Sequence, residues 1–399
     1  SGLYNSIAVD PSGDRVVVTG NHNCNVIWFG NISVAGSGTT EPRDAYIAAY
    51  DSAGTVLWAA SAQGFDVRPG EVLLDEDHNT FWFGGAVTMS AVFNADVPVA
   101  VPAGGFVAKY SPSGDLLSAE RWLTNGIISD ADRYGTNAWV LCGSGRLGAE
   151  FNGVPLGLAS AYRDGWLAAV DTGGSVIWSV SMRSDTNAYA WRCASGPDGD
   201  VVVYGGFQNI VVFEDDTVHG TGFNRDEFMA SYSNTGVLNW SRSLSGTGYS
   251  TVFDLERAPN GDIYILGEFE NELVLPGMSP LTASTTLDMF VARVDPATGL
   301  CRSAYHYGKV GGANGQSYGS VWPTANGLYV ADCYDSTFTM GTHVLEPSGP
   351  VATDIFIAKY SPDDALVYVR TAGGPSVDSA TALGVDAAQN VYLTGYFTT

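Results

Sequence analysis

Five histidines, five cysteines and a few aspartate-rich turns are the residues from which this chain could build chemistry. The histidines are His22, His78, His219, His306 and His343, far apart and mostly outside regular stretches. No H-E-x-x-H metal motif and no G-x-S-x-G nucleophile turn occurs. Histidines placed this way read as ordinary loop residues. The cysteines are Cys24, Cys142, Cys193, Cys301 and Cys333. They form no C-x-x-C pair, and their odd count leaves at least one unpaired within the chain. The segment DEDHN at 75–79 places Asp75, Asp77 and Asn79 together. Such oxygen donors suit calcium, which takes about six to eight of them. FEDD at 213–216 is the next acidic candidate, and neither segment has EF-hand spacing. Asp also begins tight turns, so a purely structural reading stands beside the calcium one. Aromatics outside the regular pattern are candidates for a glycan-binding face, above all Trp122, Trp191, Tyr249 and Trp322. No catalytic set is legible, and no cofactor is expected beyond that calcium ion.

Composition narrows the partners. The chain has 399 residues, 42 acidic and 18 basic, for a formal net charge of -24. Its lysines are Lys109, Lys309 and Lys359. A surface so acidic repels nucleic acid and anionic membranes. No apolar run approaches the roughly 20 residues of a membrane helix, and the opening SGLYNS lacks a signal-peptide pattern. A hydrophobic fraction of 45% with 12% aromatics argues for a packed core and against disorder. The cysteine spacing does not assign a redox compartment.

The elements that must position any site come from a repeat. VYLTG at 391–395 has relatives in VVVTG at 16–20, FWFGG at 81–85, WVLCG at 139–143, VVVYG at 201–205, IYILG at 263–267 and LYVAD at 328–332. Their last residues are spaced by 65, 58, 62, 62, 65 and 63 positions. That is the signature of a tandem-repeat architecture. A second motif keeps step: DAYIAAY at 44–50, GGFVAKY at 104–110, DGWLAAV at 164–170, DEFMASY at 226–232, DMFVARV at 288–294 and DIFIAKY at 354–360. A turn opening with Asp or Ser follows each copy. The next short strand carries Trp58, Ser118, Trp178, Trp240, Ser303 or Tyr368 at a fixed position. A further strand, such as NSIAVD at 5–10 or TALGVD at 381–386, precedes each VYLTG-like string. The unit therefore reads as strands a (SIAVD-like), b (VYLTG-like), c (FIAKY-like) and d (VLWAA-like). Between b and c lie variable segments with a short apolar stretch, such as NVIWFGN and NIVVFED, which reads as an extension of the sheet or a small β-arc on one face. Side chains in c alternate large, small, large at a spacing of two, as in Phe106, Ala108 and Tyr110. Both faces are mostly apolar, as in a sheet covered on both sides.

Short four-stranded units in tandem, with neither face free, predict an all-β fold of the β-propeller class. One domain is expected over 1–399, with units at about 1–64, 65–126, 127–186, 187–248, 249–315, 316–376 and a partial 377–399. A solenoid is the rival, but its units usually supply fewer strands. The count predicts seven blades with an incomplete last one.

DIFIAKYSPDDALVYVRTAGG and SATALGVDAAQNVYLTGYF resemble the bacterial SBBP β-propeller repeat. The resemblance runs over essentially the whole chain and blurs in the third unit, at ISDADRYGTN. It implies a secreted or cell-surface bacterial protein, often a module of something larger, and it implies no activity. The expected function is non-catalytic: recognition or adhesion through a protein or glycan partner. The alternative is a polysaccharide lyase or glycoside hydrolase working at the channel mouth of the propeller. Strand b of the last unit, Val391, Tyr392, Leu393 and Thr394, is expected to present an unpaired edge to a partner strand. A disulfide between Cys142 and Cys193, in neighbouring units, is geometrically open, as is a pair of buried free thiols.

Overall fold

The computed structural model describes residues 5–38, 43–75, 80–93, 98–159, 162–221, 225–309, 318–349 and 352–398. They form an all-β chain of antiparallel sheets. No helix among them is long and apolar enough to cross a membrane. Two compact units are distinguished. The first is Ser1–Cys193 with Val211–Asp215 and Gly384–Tyr392; the second is Ala194–Ile210 with Asp216–Leu383 and Leu393–Thr399.

In the first six repeats strands a to d follow one another in hydrogen-bonded order. In the second unit, Ser250–Arg257, Ile263–Phe269, Leu287–Val294 and Cys301–Lys309 make one four-stranded sheet. Ser320–Thr324, Gly327–Tyr334, Asp354–Tyr360 and Leu366–Ala372 make another. Uniform four-stranded sheets are not the rule, however, and sheet size runs from two strands to ten. The reason lies in the variable segment between b and c. It folds into a short hairpin whose first strand can pair with strand d of the preceding repeat. Phe151 thus pairs with Leu123, Phe213 with Met182, and Val274 with Ser245. In the first unit such stitching merges successive repeats into the ten-stranded sheet. Where it does not occur, Val26–Phe29 and Ile32–Ala35, or Phe338–Met340 and His343–Leu345, remain separate two-stranded hairpins.

Burial follows strand type. Strands b and c of the fourth repeat, Val201–Phe207 and Asp226–Tyr232, are buried at every position, whereas d strands such as Leu116–Leu123 are partly open to solvent. The cores are aromatic: Phe81, Phe83, Phe93 and Phe106 pack together in the first unit, and Tyr334, Phe356 and Tyr360 in the second. Each such ring contributes about 1.5–3 kcal/mol on burial.

Two devices repeat with the sequence. The Asp that opens strand c is buried and ties down the flanking loops. Asp164 accepts the N–H groups of Ala159 and Ser184, both at 3.0 Å. Asp288 accepts those of Ser284 at 2.8 Å and Thr285 at 3.0 Å. In the first and fourth repeats the strand-d tryptophan locks onto the next repeat. Trp58 donates its indole N–H to the Pro112 carbonyl at 2.9 Å, and Trp240 to that of Pro296 at 2.8 Å. The turn above Trp58 must carry Gly114: φ is +89°, and a Cβ there would sit 2.6 Å from the indole.

Candidate functional site

The repeat supplies a background against which unusual residues stand out. The fourth position of strand b holds Thr19, Gly84, Cys142, Tyr204, Leu266, Ala331 or Thr394. The second position of strand c holds Ala45, Gly105, Gly165, Glu227, Met289 or Ile355. The residue after strand b is Asn21, Ala86, Ser144, Gly206, Glu268, Cys333 or Tyr396. A phenol and two carboxyls therefore enter positions that mostly carry small or apolar groups. The second unit brings all three to one place.

Glu227 lies opposite Gly206 across the ladder, where no side chain competes for the space, and Tyr204 lies opposite Met229. Tyr204 is fully buried and its hydroxyl accepts the Val252 N–H at 2.9 Å. Glu227 is 2% exposed. One carboxyl oxygen, Oε2, accepts the Ser250 hydroxyl at 3.2 Å. The other, Oε1, is buried without a hydrogen-bond partner among the described residues. Burial raises Glu227 to about 7, although Tyr204, Arg225 and Ser250 pull the other way. Burial also raises Tyr204 well above an ordinary phenol, and the Glu227 charge adds to this.

A more open side adjoins this core. Tyr249 is 47% exposed, and the Arg225 guanidinium stands 6.0 Å from its ring centre. Burial raises its phenol, with Glu268 and Glu227 contributing and Arg225 opposing. Glu268 is buried and pairs with Thr251, one residue beyond Ser250. The arrangement comprises an acid poised near neutrality, a second carboxyl, two phenols and a guanidinium. An acid that titrates near neutral pH is suited to proton transfer in either direction. Neighbouring Asp226 plays a structural part instead. It accepts the Thr221 N–H at 3.0 Å and belongs to the loop-tying series.

A second grouping lies in the first unit. Asp130 sits directly opposite Cys142 in the ladder, and a β-bulge between Ile128 and Asp130 sets its direction. The Cys193 N–H, 63 residues away in sequence, donates to Asp130 Oδ2 at 2.8 Å. One ligand atom from each of Asp130, Cys142 and Cys193 lies within 4.8 Å of the others, and all three residues are buried. Both cysteines are free thiols rather than a disulfide. Burial pushes the Cys142 thiol up and the Cys193 thiol well up, the latter aided by Cys142. This grouping corrects the expectation of a non-catalytic chain. A buried set of two thiols and a carboxylate exists; linear spacing conceals it because its members come from three strands.

The residues singled out by sequence are dispersed. Asp75 is buried at the end of Val67–Asp75, where its charge acts on Lys109. Asp77 and Asn79 lie outside the described residues. In FEDD, Asp216 accepts the Ser241 hydroxyl at 2.5 Å and the Thr217 N–H at 2.9 Å. Trp122 is 6% exposed and packs edge-on against Trp82 and Phe151, with ring centres 5.4 and 5.8 Å away. It fills the core because strand d turns it inward beneath the next hairpin. Trp191 stacks on Tyr189 at 6.0 Å, and Trp322 is half-buried opposite Tyr329. Of the four candidate aromatics, Tyr249 alone is exposed. Val391, Tyr392, Leu393 and Thr394 lie in Val391–Phe397, half-buried, in a two-stranded sheet with Asp378–Val385. Sequence reasoning missed Tyr204, Glu227 and Glu268. Their signal was departure from the repeat at aligned positions.

No family model matches the chain, and no curated protein matches it. Among solved structures, a streptogramin B lyase is 10% identical, with a TM-score of 0.46 over 98% of this chain and 90% of that one. An ulvan lyase from a new polysaccharide lyase family is 13% identical, with a TM-score of 0.49 over 94% and 84%. A protein of unknown function from Bacteroides caccae is 10% identical, with a TM-score of 0.43 over 82% and 90%. The chain has a β-sheet-rich fold that loosely resembles theirs.

Proposed function

We propose that this chain cleaves glycosidic bonds in a glycan polymer by acid–base chemistry at the Glu227 cluster. The observation that carries the reading is a buried glutamate raised to about 7, in a repeat position otherwise filled by Ala, Gly, Met or Ile. Around neutral pH its carboxyl is part protonated and can give a proton to a leaving glycosidic oxygen. Ser250, half-buried and bonded to the carboxyl, links it toward solvent. Tyr249 and Arg225 offer an exposed ring and a cation on which a sugar can rest. Glu268 supplies the second carboxyl that hydrolysis uses in most glycosidases. The scaffold in this reading is an SBBP-type propeller of seven blades, the last incomplete, acting outside the cell.

The test is a panel of neutral and uronate-bearing polysaccharides incubated with wild type and Glu227→Gln. The expected result is release of new chain ends from at least one polymer, with the rate falling about 100-fold or more in the variant. New reducing ends without unsaturation mark hydrolysis, and a conjugated double bond marks elimination. A folded wild type that cleaves nothing, or a Glu227→Gln protein that keeps full activity, would overturn the reading.

A further inference from the structure

We propose that Asp130, Cys142 and Cys193 form a site for a thiophilic divalent cation of the zinc class. The donor set is sulfur, sulfur and carboxylate oxygen, the types that zinc takes at about 2.0–2.3 Å. Soft thiolates select against calcium and magnesium, which prefer oxygen. The three side chains are held by the sheet itself. Asp130 and Cys142 face each other across an antiparallel ladder. Cys193 is fixed on the next repeat by its N–H bond to Asp130. Their ligand atoms already lie within 4.8 Å of one another, so closure on an ion needs side-chain rotation rather than refolding.

Charge also fits. Binding replaces two thiol protons: the cation forms two bonds to sulfur, and both protons pass to solvent. Two thiolates and a carboxylate around a dication leave a net charge of about -1. Arg192 lies close enough for its charge to act on Cys142 and offsets this remainder. Three protein ligands leave one tetrahedral position for water or a neighbouring donor.

The experiment uses the full chain carrying Cys24→Ser, which removes the exposed thiol. The reduced protein is equilibrated with zinc, passed through a desalting column and assayed for bound metal by mass spectrometry. Cobalt(II) provides a second readout through its thiolate charge-transfer absorption. The expected result is about one zinc per chain, a higher Tm, and a cobalt–thiolate band. Cys142→Ser and Cys193→Ser should each abolish the band. Asp130→Asn keeps an acceptor for the Cys193 N–H and should weaken zinc at least about tenfold. It also guards the test should a cysteine variant fail to fold. A protein that binds no zinc with both buried thiols reduced would overturn the proposal. So would one in which Cys142 and Cys193 are found joined as a disulfide after aerobic purification and take up no metal on reduction.

Discussion

Glu227 shows how one side chain can link stability to pH. Its carboxyl is raised from 4.5 to about 7, first by burial. The folded protein therefore holds a proton that the unfolded chain has already released. The stability tied to that proton is fully present below about 4.5 and is lost as pH rises through about 7. Unfolding in urea across this window should show stability declining with pH, and Glu227→Gln should flatten that decline. Equal slopes in the two proteins would refute the assignment. Asp288 acts in the opposite sense. Burial alone would raise it, but the Ser284 N–H, the His306 ring and the Ser284 and Thr285 hydroxyls hold it below its ordinary 3.8. Its contribution is lost only as pH falls below that value. Between the two limits lies the range where both groups favour the fold.

At the scale of the element, each repeat is stabilised by polar links that its motif encodes. The buried Asp of strand c ties two loops that would otherwise leave N–H groups unsatisfied. Asp164→Ala should cost about 3 kcal/mol, since two hydrogen bonds to a charged acceptor are lost together. Asp164→Asn keeps one acceptor and should cost about half as much. Chemical denaturation of both variants measures this, and equal losses would show that charge rather than acceptor count matters. First strands of successive repeats are joined in a similar way. The Val72 N–H donates to Ser6 Oγ at 3.2 Å, the Val321 N–H to Asp254 at 2.8 Å, and the Leu383 N–H to Ser320 Oγ at 3.2 Å. The Asp130–Cys193 bond is the same link in the third repeat, with thiols added beside it. The cation site thus grows out of a structural joint common to several repeats.

For the whole molecule, charge is the property that composition sets most directly. An excess of 24 negative charges repels itself in the compact state. Screening it should raise Tm as ionic strength increases from about 0.01 M toward 0.15 M, where the Debye length shrinks to about 8 Å. A flat response would mean that local pairs, such as Asp262 with Arg293 and Arg302 at 2.5 and 2.6 Å, absorb most of the imbalance.

The sequence by itself determined the strands, their order within a repeat and their period. A four-stranded repeat writes its own pattern, because side chains alternate with period two and every copy must satisfy the same neighbours. DxFxAxY and VYLTG were legible for that reason, as was the recurring large side chain of strand d. The tertiary structure decided which departures from the pattern meet. Tyr204, Glu227 and Glu268 are single exceptions in three different strands, and nothing in their spacing pairs them. Cys142, Cys193 and Asp130 meet because one repeat lies in register against the next, an alignment set by packing and not by local sequence. It also decided how the hairpins between b and c attach, and hence why sheets range from two strands to ten. The apolar stretch between b and c announced an extension of the sheet, but its pairing runs through backbone groups, which every residue carries alike, so the sequence did not name the partner strand.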